Sequence, residues 1–165
     1  MATQAPVRAG RTGRTGSADR TDPAPEHSCS IQRTLEVVGD RWTLLILRDL
    51  FRGVRRFGQL QEDLAIARNL LSDRLSRLVD AGIVERVPYQ DRPVRHDYVL
   101  TGRGRDLSPS LLALMRWGDR WCTDGEPPTV LVHAACGTAL EQVTRCRKCD
   151  ELVTPAQIRS RPGRP

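Results

Sequence analysis

The sequence predicts a mainly helical fold with one small β-hairpin, an α+β class, and three observations support this prediction. Apolar residues recur at spacings of three and four over much of residues 30–121, which is the spacing of a buried helix face. One pair of branched and aromatic runs, at 83–89 and 98–100, flanks a polar tip and is typical of a hairpin. Two close His/Cys pairs after residue 128 predict a separate small unit.

Composition limits the partners and the compartment. The 165-residue chain has a net charge of +6, and nearly all its basic residues are arginine. A basic chain favours a polyanionic partner, although arginine richness also follows from a GC-rich genome. Neither an apolar run long enough for a membrane span nor a signal-peptide core is present, so we expect a cytoplasmic protein without membrane contact. In a reducing compartment, the five cysteines are expected to be thiols or metal ligands.

The ends of the chain differ in composition from its middle. Residues 1–28 contain GRTGRTG and three prolines, with little to bury, and we expect a disordered tail there. A Gly-Glu-Pro-Pro run at 125–128 marks a second boundary. We therefore divide the remainder into a folded domain at 29–126, a small hairpin unit at 127–155 and a disordered basic tail at 156–165.

Two helices are predicted at the start of the folded domain. Apolar residues spaced four and three apart predict a short helix that begins after Cys29 and ends at Gly39. Asp40 is placed to cap a second helix over 41–51. Its segment WTLLIL is apolar on all sides, so we expect this helix at the centre of the core.

Residues 57–84 predict two short helices, a tight turn and an exit into a strand. Each helix has one apolar stripe, and at about 100° per residue the second helix also has a polar outer face. Such a pair occurs in any small helical domain with a solvated outer face, so the pair alone does not establish DNA binding. The candidate residues for contacts to DNA bases and the adjacent backbone are Asn69, Ser72, Asp73, Ser76 and Arg77.

The hairpin that follows has a basic tip containing Arg92 and Arg95. A hairpin directly after a helix-turn-helix is what a winged domain requires, and its tip would lie along the sugar-phosphate backbone or enter the minor groove. An ordinary hairpin that closes the core fits the strands but leaves both arginines without a role. Arg55 and Arg56, just before the first of the two helices, are candidates for phosphate contacts, although surface arginines are more often only solvated.

Thr101 is placed to cap one further helix. Its apolar stripe, from Leu107 to Trp121, is longer than a small domain needs. We interpret Trp117 and Trp121 as a dimer contact made with the first helix; the alternative is that they pack beneath the C-terminal segment. A two-fold dimer would place two DNA half-sites about one helical turn apart.

The C-terminal unit contains His133-x2-Cys136-Gly137 and Cys146-x2-Cys149. Two close pairs of soft ligands, separated by nine residues, are typical of two turns that hold a tetrahedral metal in a zinc-ribbon-like hairpin. Zinc matches one histidine and three cysteines best, and four protein ligands indicate a structural site. A metal-free hairpin with spare thiols is the alternative.

Several motifs together carry a family resemblance: GDRWTLLIL at 39–47, Arg-Phe at 56–57, LSDRL at 71–75, Gly-Ile-Val at 82–84 and YVLTGRG at 98–104. With them, residues 29–126 resemble the HxlR-type winged helix-turn-helix transcriptional regulators. The resemblance implies a homodimeric, cytosolic bacterial repressor or activator, paired through its terminal helices, with the second helix of the motif in the major groove. In some relatives the cysteine that matches Cys29 is a thiol sensor. Sensing here requires an accessible, activated thiol, and a merely buried cysteine is the alternative.

We therefore predict a sequence-specific DNA-binding regulator, a repressor in preference to an activator, and not an enzyme. Its effector, a small molecule or an oxidant, is left open. Asp73 differs from the other candidate DNA contacts, because a carboxylate near DNA must either accept a hydrogen bond from a cytosine amine or serve to orient Arg77. Two other classes compete: a protein-interaction adaptor built on the zinc hairpin, and a thiol or zinc enzyme built on Cys146-x2-Cys149. No acid-base pair, glycine-rich phosphate loop or nucleophile motif supports the enzyme.

Overall fold

The computed structural model describes residues 29–161, so the tail expected over 1–28 lies outside the described residues, as do residues 162–165. None of the helices within residues 29–161 combines the length and the apolar character that a membrane span requires. The elements are α1 (Ser30–Val38), α2 (Arg41–Phe51), α3 (Phe57–Leu64), α4 (Arg68–Asp80), β1 (Val84–Asp91), β2 (Val94–Leu100), α5 (Gly102–Arg105), α6 (Ser108–Trp121) and a 3-10 helix (Pro155–Gln157).

The first two helices form where the sequence predicts them. α1 ends at Gly39, where a side chain would collide with the carbonyl oxygen of Leu35. Asp40 caps α2, since its Oδ1 accepts hydrogen bonds from the amides of Trp42 and Thr43, both at 3.1 Å. The cap fixes where α2 begins and therefore which of its side chains face inward.

The core is organised around α2, as expected. Ile46 and Leu47 of this helix are fully buried, and α2 contacts α3, α4 and β2. Burying one such side chain stabilises the fold by roughly 1.5–3 kcal/mol. The buried residues of α2 therefore contribute substantially to the stability of the domain. The other buried apolar residues are Val38, Leu50, Leu60, Leu64, Ile66, Leu71, Leu75, Leu78, Ile83, Val84 and Leu100.

α3 and α4 form a helix-turn-helix. The turn begins at Ala65, whose φ of 48° and ψ of 38° end α3 in the left-handed conformation. Ile66 then inserts into the core at 4% exposure, so the turn is anchored and not merely a linker. This geometry confirms the two short helices and the tight turn predicted over residues 57–80.

β1 and β2 form an antiparallel hairpin with pairing from Val84↔Leu100 to Asp91↔Val94. The paired strands extend further toward the tip than the sequence indicates, and they are interrupted by one irregularity at Tyr89. Arg56 forms an isolated bridge with Asp97, which joins β2 to the segment before α3. The hairpin is therefore fixed to the helix-turn-helix at its base.

The single helix expected after Thr101 is wrong: it is broken into α5 and α6. Thr101 does cap α5, since its Oγ1 accepts a hydrogen bond from the amide of Gly104 at 3.2 Å. α6 begins one turn later with Pro109 in its first turn. Proline has no N–H to continue the α5 hydrogen bonds, but it fits the first turn of a new helix, so the chain restarts there.

The C-terminal segment has turns but no core. It contains two isolated bridges, Val132↔Ala139 and Arg145↔Leu152, and none of residues 126–161 is buried. Gln142 connects the segment to the domain, because its side-chain amide donates to the carbonyl oxygen of Pro109 at 2.7 Å. Pro155–Gln157 form a 3-10 helix at the point where we expected a disordered tail from residue 156.

Candidate nucleic-acid interface

The outer face of α4 is polar and accessible. Asn69, Ser72, Asp73 and Arg77 are exposed, and Ser76 is partly buried. The opposite face of the helix is fixed, because Leu71, Leu75 and Leu78 are at most 1% exposed. At about 1.5 Å per residue, the helix offers roughly 20 Å of length to a groove about 12 Å wide.

A series of ion pairs connects this face to the start of α2. Arg74 Nε donates to Asp40 Oδ1 at 3.0 Å, and Arg74 Nη1 donates to Asp73 Oδ2 at 2.7 Å. Asp73 Oδ2 also accepts from Arg77 Nε at 3.1 Å. Arg74 is only 19% exposed, so its pairs are less screened than ordinary surface pairs. The series orients Arg77 through Asp73.

Asp40 is charged at neutral pH, and several groups act on its pKa. Partial burial raises the pKa, but hydrogen bonds from the hydroxyl and amide of Thr43 and the positive charge of Arg74 lower it more. The net pKa lies below the usual value of an aspartate. The same carboxylate therefore caps α2 and anchors α4.

Arg56 lies between the helix-turn-helix and the hairpin. Its Nε is 3.7 Å from Asp97 Oδ1, and its guanidinium stacks 4.7 Å from the ring centre of Tyr89. Arg55 contributes its backbone oxygen to the amide of Tyr98 at 2.8 Å, while its side chain is exposed. Arg56 is thus partly engaged within the fold, and Arg55 keeps a free guanidinium at this surface.

The tip of the hairpin carries two unpaired positive charges. The side chains of Arg92 and Arg95 are exposed and make no hydrogen bond or ion pair within residues 29–161. They remain available to a phosphate.

The contacts of two arginines at this surface were not predicted from the sequence. Arg74 had no assigned role, because its partner Asp40 is 34 residues away in the chain. Arg68, the first residue of α4, is exposed and stacks 5.3 Å from the ring centre of Phe57. The unfilled N-cap at Ala67 leaves the first amides of α4 without a side-chain acceptor. The sequence did contain one indication of this position, namely an arginine at the start of a helix whose N-cap residue has no polar side chain.

Two apolar faces are exposed outside this surface. α1 presents Ile31 and Leu35 at 70% and 57% exposure, and α6 presents Trp117 and Trp121 at 61% and 65%. Trp117 and Trp121 line an open groove together with Val130, Leu131 and Leu140 of the C-terminal segment, but the segment leaves both tryptophans mostly exposed. Cys29 precedes α1 as its N-cap and is also exposed.

The predicted metal ligands lie in two pairs. His133 Nδ1 is 3.2 Å from Cys136 Sγ, and Cys146 and Cys149 lie in a second turn with the same spacing. Within residues 29–161, no group of three or more His, Cys, Asp or Glu side chains is placed to hold a metal ion. The two pairs are therefore formed separately and not brought together.

Local hydrogen bonds act on two of these thiols. The hydroxyl and then the amide of Thr138 lower the pKa of Cys136 below its usual value. Backbone amides of Cys149 and Lys148, followed by the Cys149 side chain, lower the pKa of Cys146 in the same way. Both turns thus direct hydrogen-bond donors at a sulfur.

A helix-turn-helix followed by a two-stranded wing defines a class, the winged helix-turn-helix DNA-binding domains. The model of one family, described as HxlR-like helix-turn-helix, matches residues 37–126. The chain belongs to this family and is a transcriptional regulator of the helix-turn-helix type. The family resemblance stated from the sequence is confirmed.

Relatives and solved structures agree with this assignment. An uncharacterised HTH-type transcriptional regulator of Mycobacterium tuberculosis is 48% identical over 135 residues, which are 81% of this chain and 85% of that protein. PA1607, described as a candidate transcription factor, is 33% identical with a TM-score of 0.75, over 82% of this chain and 96% of that one. The redox regulator HypR in its oxidized form is 31% identical with a TM-score of 0.53, over 59% of this chain and 100% of HypR.

Replacing Asp40 separates its two tasks. Asp40→Ala should lower the free energy of unfolding by about 1–2 kcal/mol, because the α2 amides and Arg74 all lose their acceptor. Asp40→Asn keeps a good cap and should cost less. The native carboxylate has a lowered pKa, so its stabilisation is present above the unfolded pKa of about 3.9 and is lost as pH falls through the folded value.

Urea unfolding at pH 7 and at pH values below about 4 measures both effects. The difference between the wild-type chain and Asp40→Asn should shrink on acidification. Equal destabilisation by Asn and Ala at pH 7, or a difference that does not change with pH, would contradict the assigned roles.

Proposed function

We propose that this chain is a sequence-specific repressor that binds double-stranded DNA as a homodimer. The observation that carries the proposal is the exposed polar face of α4, with a wing on the same domain whose Arg92 and Arg95 have no partner within residues 29–161. A helix with one face locked in the core and a hydrogen-bonding outer face is suited to the major groove. A dimer bound across a promoter excludes polymerase by occupying the DNA, which requires no additional surface.

The residues divide into two tasks. Asn69 and Ser72, near the start of α4, are proposed to contact base edges, with Ser76 supporting them one turn later. Arg77, Arg55 and Arg56 are proposed to contact phosphates, as are Arg92 and Arg95 of the wing. The two ion pairs of Asp73 support a positioning role for its carboxylate, because it holds both Arg74 and Arg77.

The homodimer is proposed from the two exposed apolar faces. Two apolar faces, one on α1 and one on the second half of α6, would expose several large apolar side chains if the chain were a monomer. Tryptophans at the centre of an interface typically carry much of the binding energy. A second copy of the chain provides a complementary surface, since α1 of one protomer can cover α6 of its partner in a two-fold contact.

We also propose that Cys29 responds to oxidants through its thiol. Cys29 is exposed and immediately precedes α1, one of the two proposed dimer helices. The similarity to HypR, which is described as a redox regulator, supports the same kind of control here. Hydrogen peroxide would oxidise the thiol to a sulfenic acid and would itself be reduced to water. The sulfenic acid would place a polar group beside the interface.

The DNA contacts can be tested on the DNA upstream of the chain's own gene. Arg92→Ala and Arg95→Ala should weaken binding to all sequences similarly and reduce the salt slope by about one each. Asn69→Ala and Ser72→Ala should cost about 1–3 kcal/mol on the preferred sequence and change the preference. Arg147→Ala, which removes an exposed charge from the C-terminal segment, is the matched control. If both groups of variants lose the same affinity on every DNA, the division of tasks is wrong.

Substituting a tryptophan tests the dimer. Trp117→Glu or Trp121→Glu should raise the dimer dissociation constant at least about tenfold, because a charge is costly in a buried apolar contact. Sedimentation equilibrium distinguishes the chain mass of 18.5 kDa from twice that value. Val87→Glu changes an exposed apolar residue of the hairpin and should leave the dimer intact. A wild-type chain that is monomeric at micromolar concentration would contradict the proposal.

The thiol response can be tested with hydrogen peroxide. Peroxide should change the DNA affinity of the wild-type chain, and dithiothreitol should reverse the change. Cys29→Ser should abolish the response, whereas Cys122→Ser, which removes another exposed thiol, should retain it. A response that persists in Cys29→Ser would assign sensing to a different cysteine.

A further inference from the structure

The two turns of the C-terminal segment repeat one hydrogen-bond pattern. In the first turn, the amide of His133 donates to the oxygen of Thr138 at 2.8 Å, and the amide of Gly137 donates back to the oxygen of His133 at 2.8 Å. In the second turn, the amide of Cys146 donates to the oxygen of Glu151 at 2.9 Å, and the amide of Asp150 donates back to the oxygen of Cys146 at 2.9 Å. The flanking bridges, Val132↔Ala139 and Arg145↔Leu152, have the same offset from these turns.

The residue after the second ligand is also equivalent in both turns. Gly137 follows Cys136 with a φ of 70°, and Asp150 follows Cys149 with a φ of 57°. A left-handed residue at this position reverses the chain while the amides before it stay directed at the sulfur. Asp150 is not a glycine, so the second turn keeps this conformation at a steric cost. Two unrelated loops would not be expected to share it.

The side chains of the first turn are near the separation of two ligands on one ion. Adjacent corners of a tetrahedral zinc site, with bonds of about 2.1 Å to nitrogen and about 2.3 Å to sulfur, are about 3.6 Å apart. His133 Nδ1 and Cys136 Sγ are 3.2 Å apart, and Cys146 and Cys149 occupy the equivalent positions of the second turn. Each turn therefore supplies half of a tetrahedral set, and one imidazole with three thiolates is a donor set that zinc accepts.

Hydrophobic burial does not hold this segment together. None of residues 126–161 is buried, and Val132, Leu140, Val143 and Leu152 are all close to half exposed or more. Units of fewer than about 40 residues usually need a disulfide or a metal to fold stably. A shared metal ion would supply the missing cross-link between the two turns.

The connection between the turns is short enough to bring them together. The first hairpin ends where Leu140 donates to Leu131, and the second begins where Val153 donates to Thr144. Three residues, 141–143, join them and span at most about 11 Å. The four side chains form two pairs in the structure, so shared ligation requires one turn to close onto the other around this linker.

We propose that His133, Cys136, Cys146 and Cys149 of one chain bind a single Zn²⁺ as a closed, structural site. The site uses four protein ligands and has no position for a substrate. It cross-links the C-terminal segment beside α6, to which Gln142 is already hydrogen-bonded. The proposal does not depend on the DNA-binding role of α4 and the wing.

Metal content of the full-length chain tests the site. Elemental analysis of protein purified without chelator should give about one zinc per chain. Cys146→Ser combined with Cys149→Ser should reduce the content to the background level, and so should His133→Ala combined with Cys136→Ser. Cys122→Ser removes an exposed thiol outside both turns and should retain the zinc. Replacement by Co²⁺ should give the intense visible absorption of a tetrahedral thiolate site.

Limited trypsin digestion provides a second measurement that does not require DNA binding. Arg145, Arg147 and Lys148 lie in or beside the second turn, and cleavage after them should accelerate when a chelator removes the zinc. The Cys122→Ser chain should behave as the wild type. Absence of zinc, or a Cys146–Cys149 disulfide in protein purified under reducing conditions, would overturn the proposal. About half a zinc per chain would overturn it as well, because the metal would then be shared between two chains.

Discussion

The contact between Asp40 and Arg74 joins α4, the helix proposed to read DNA, to the start of α2. Asp40 caps α2, the helix around which the core is built, and the same oxygen accepts the guanidinium of Arg74 on α4. Arg74 in turn holds Asp73, which holds Arg77 on the outer face. Arg74 is partly buried at 19% exposure, which is less than the exposure of Asp40 or Arg77, so its ion pairs help to offset the solvation that it loses. Three ion pairs in series therefore connect the start of α2 to Arg77 on the polar face of α4.

The rest of the domain restricts the remaining freedom of that face. Buried leucines fix the rotation of α4, and the bridge between Arg56 and Asp97 fixes the hairpin against the start of α3. Both α4 and the wing are therefore attached to the core, and such attachment provides the preorganisation that the proposed base contacts require. α1 and α6 take no part in this surface. Their exposed apolar residues are the ones proposed to contact a second chain.

Local signals made much of this architecture predictable from the sequence. The apolar spacing defined α1 to α4, and Asp40 and Thr101 were identified as caps because capping involves neighbouring residues. The break between α5 and α6 was missed because the cap at Thr101 and the apolar stripe that begins at Leu107 were assigned to one helix, whereas Pro109 starts a second one. Arg74 was missed because its role depends on a partner from a distant part of the chain. The His/Cys spacing predicted the two turns, but spacing cannot specify how far apart two turns lie in the fold.

We propose that two copies of α4, each followed by a basic wing, recognise a symmetric DNA site. The most direct measurement is selection of bound sequences from a random pool of double-stranded DNA by the purified full-length chain. The account predicts enrichment of two inverted copies of one short half-site, with centres about 10 base pairs or a multiple of that distance apart. Failure to enrich any sequence over the starting pool, or enrichment of a single asymmetric element, would contradict it.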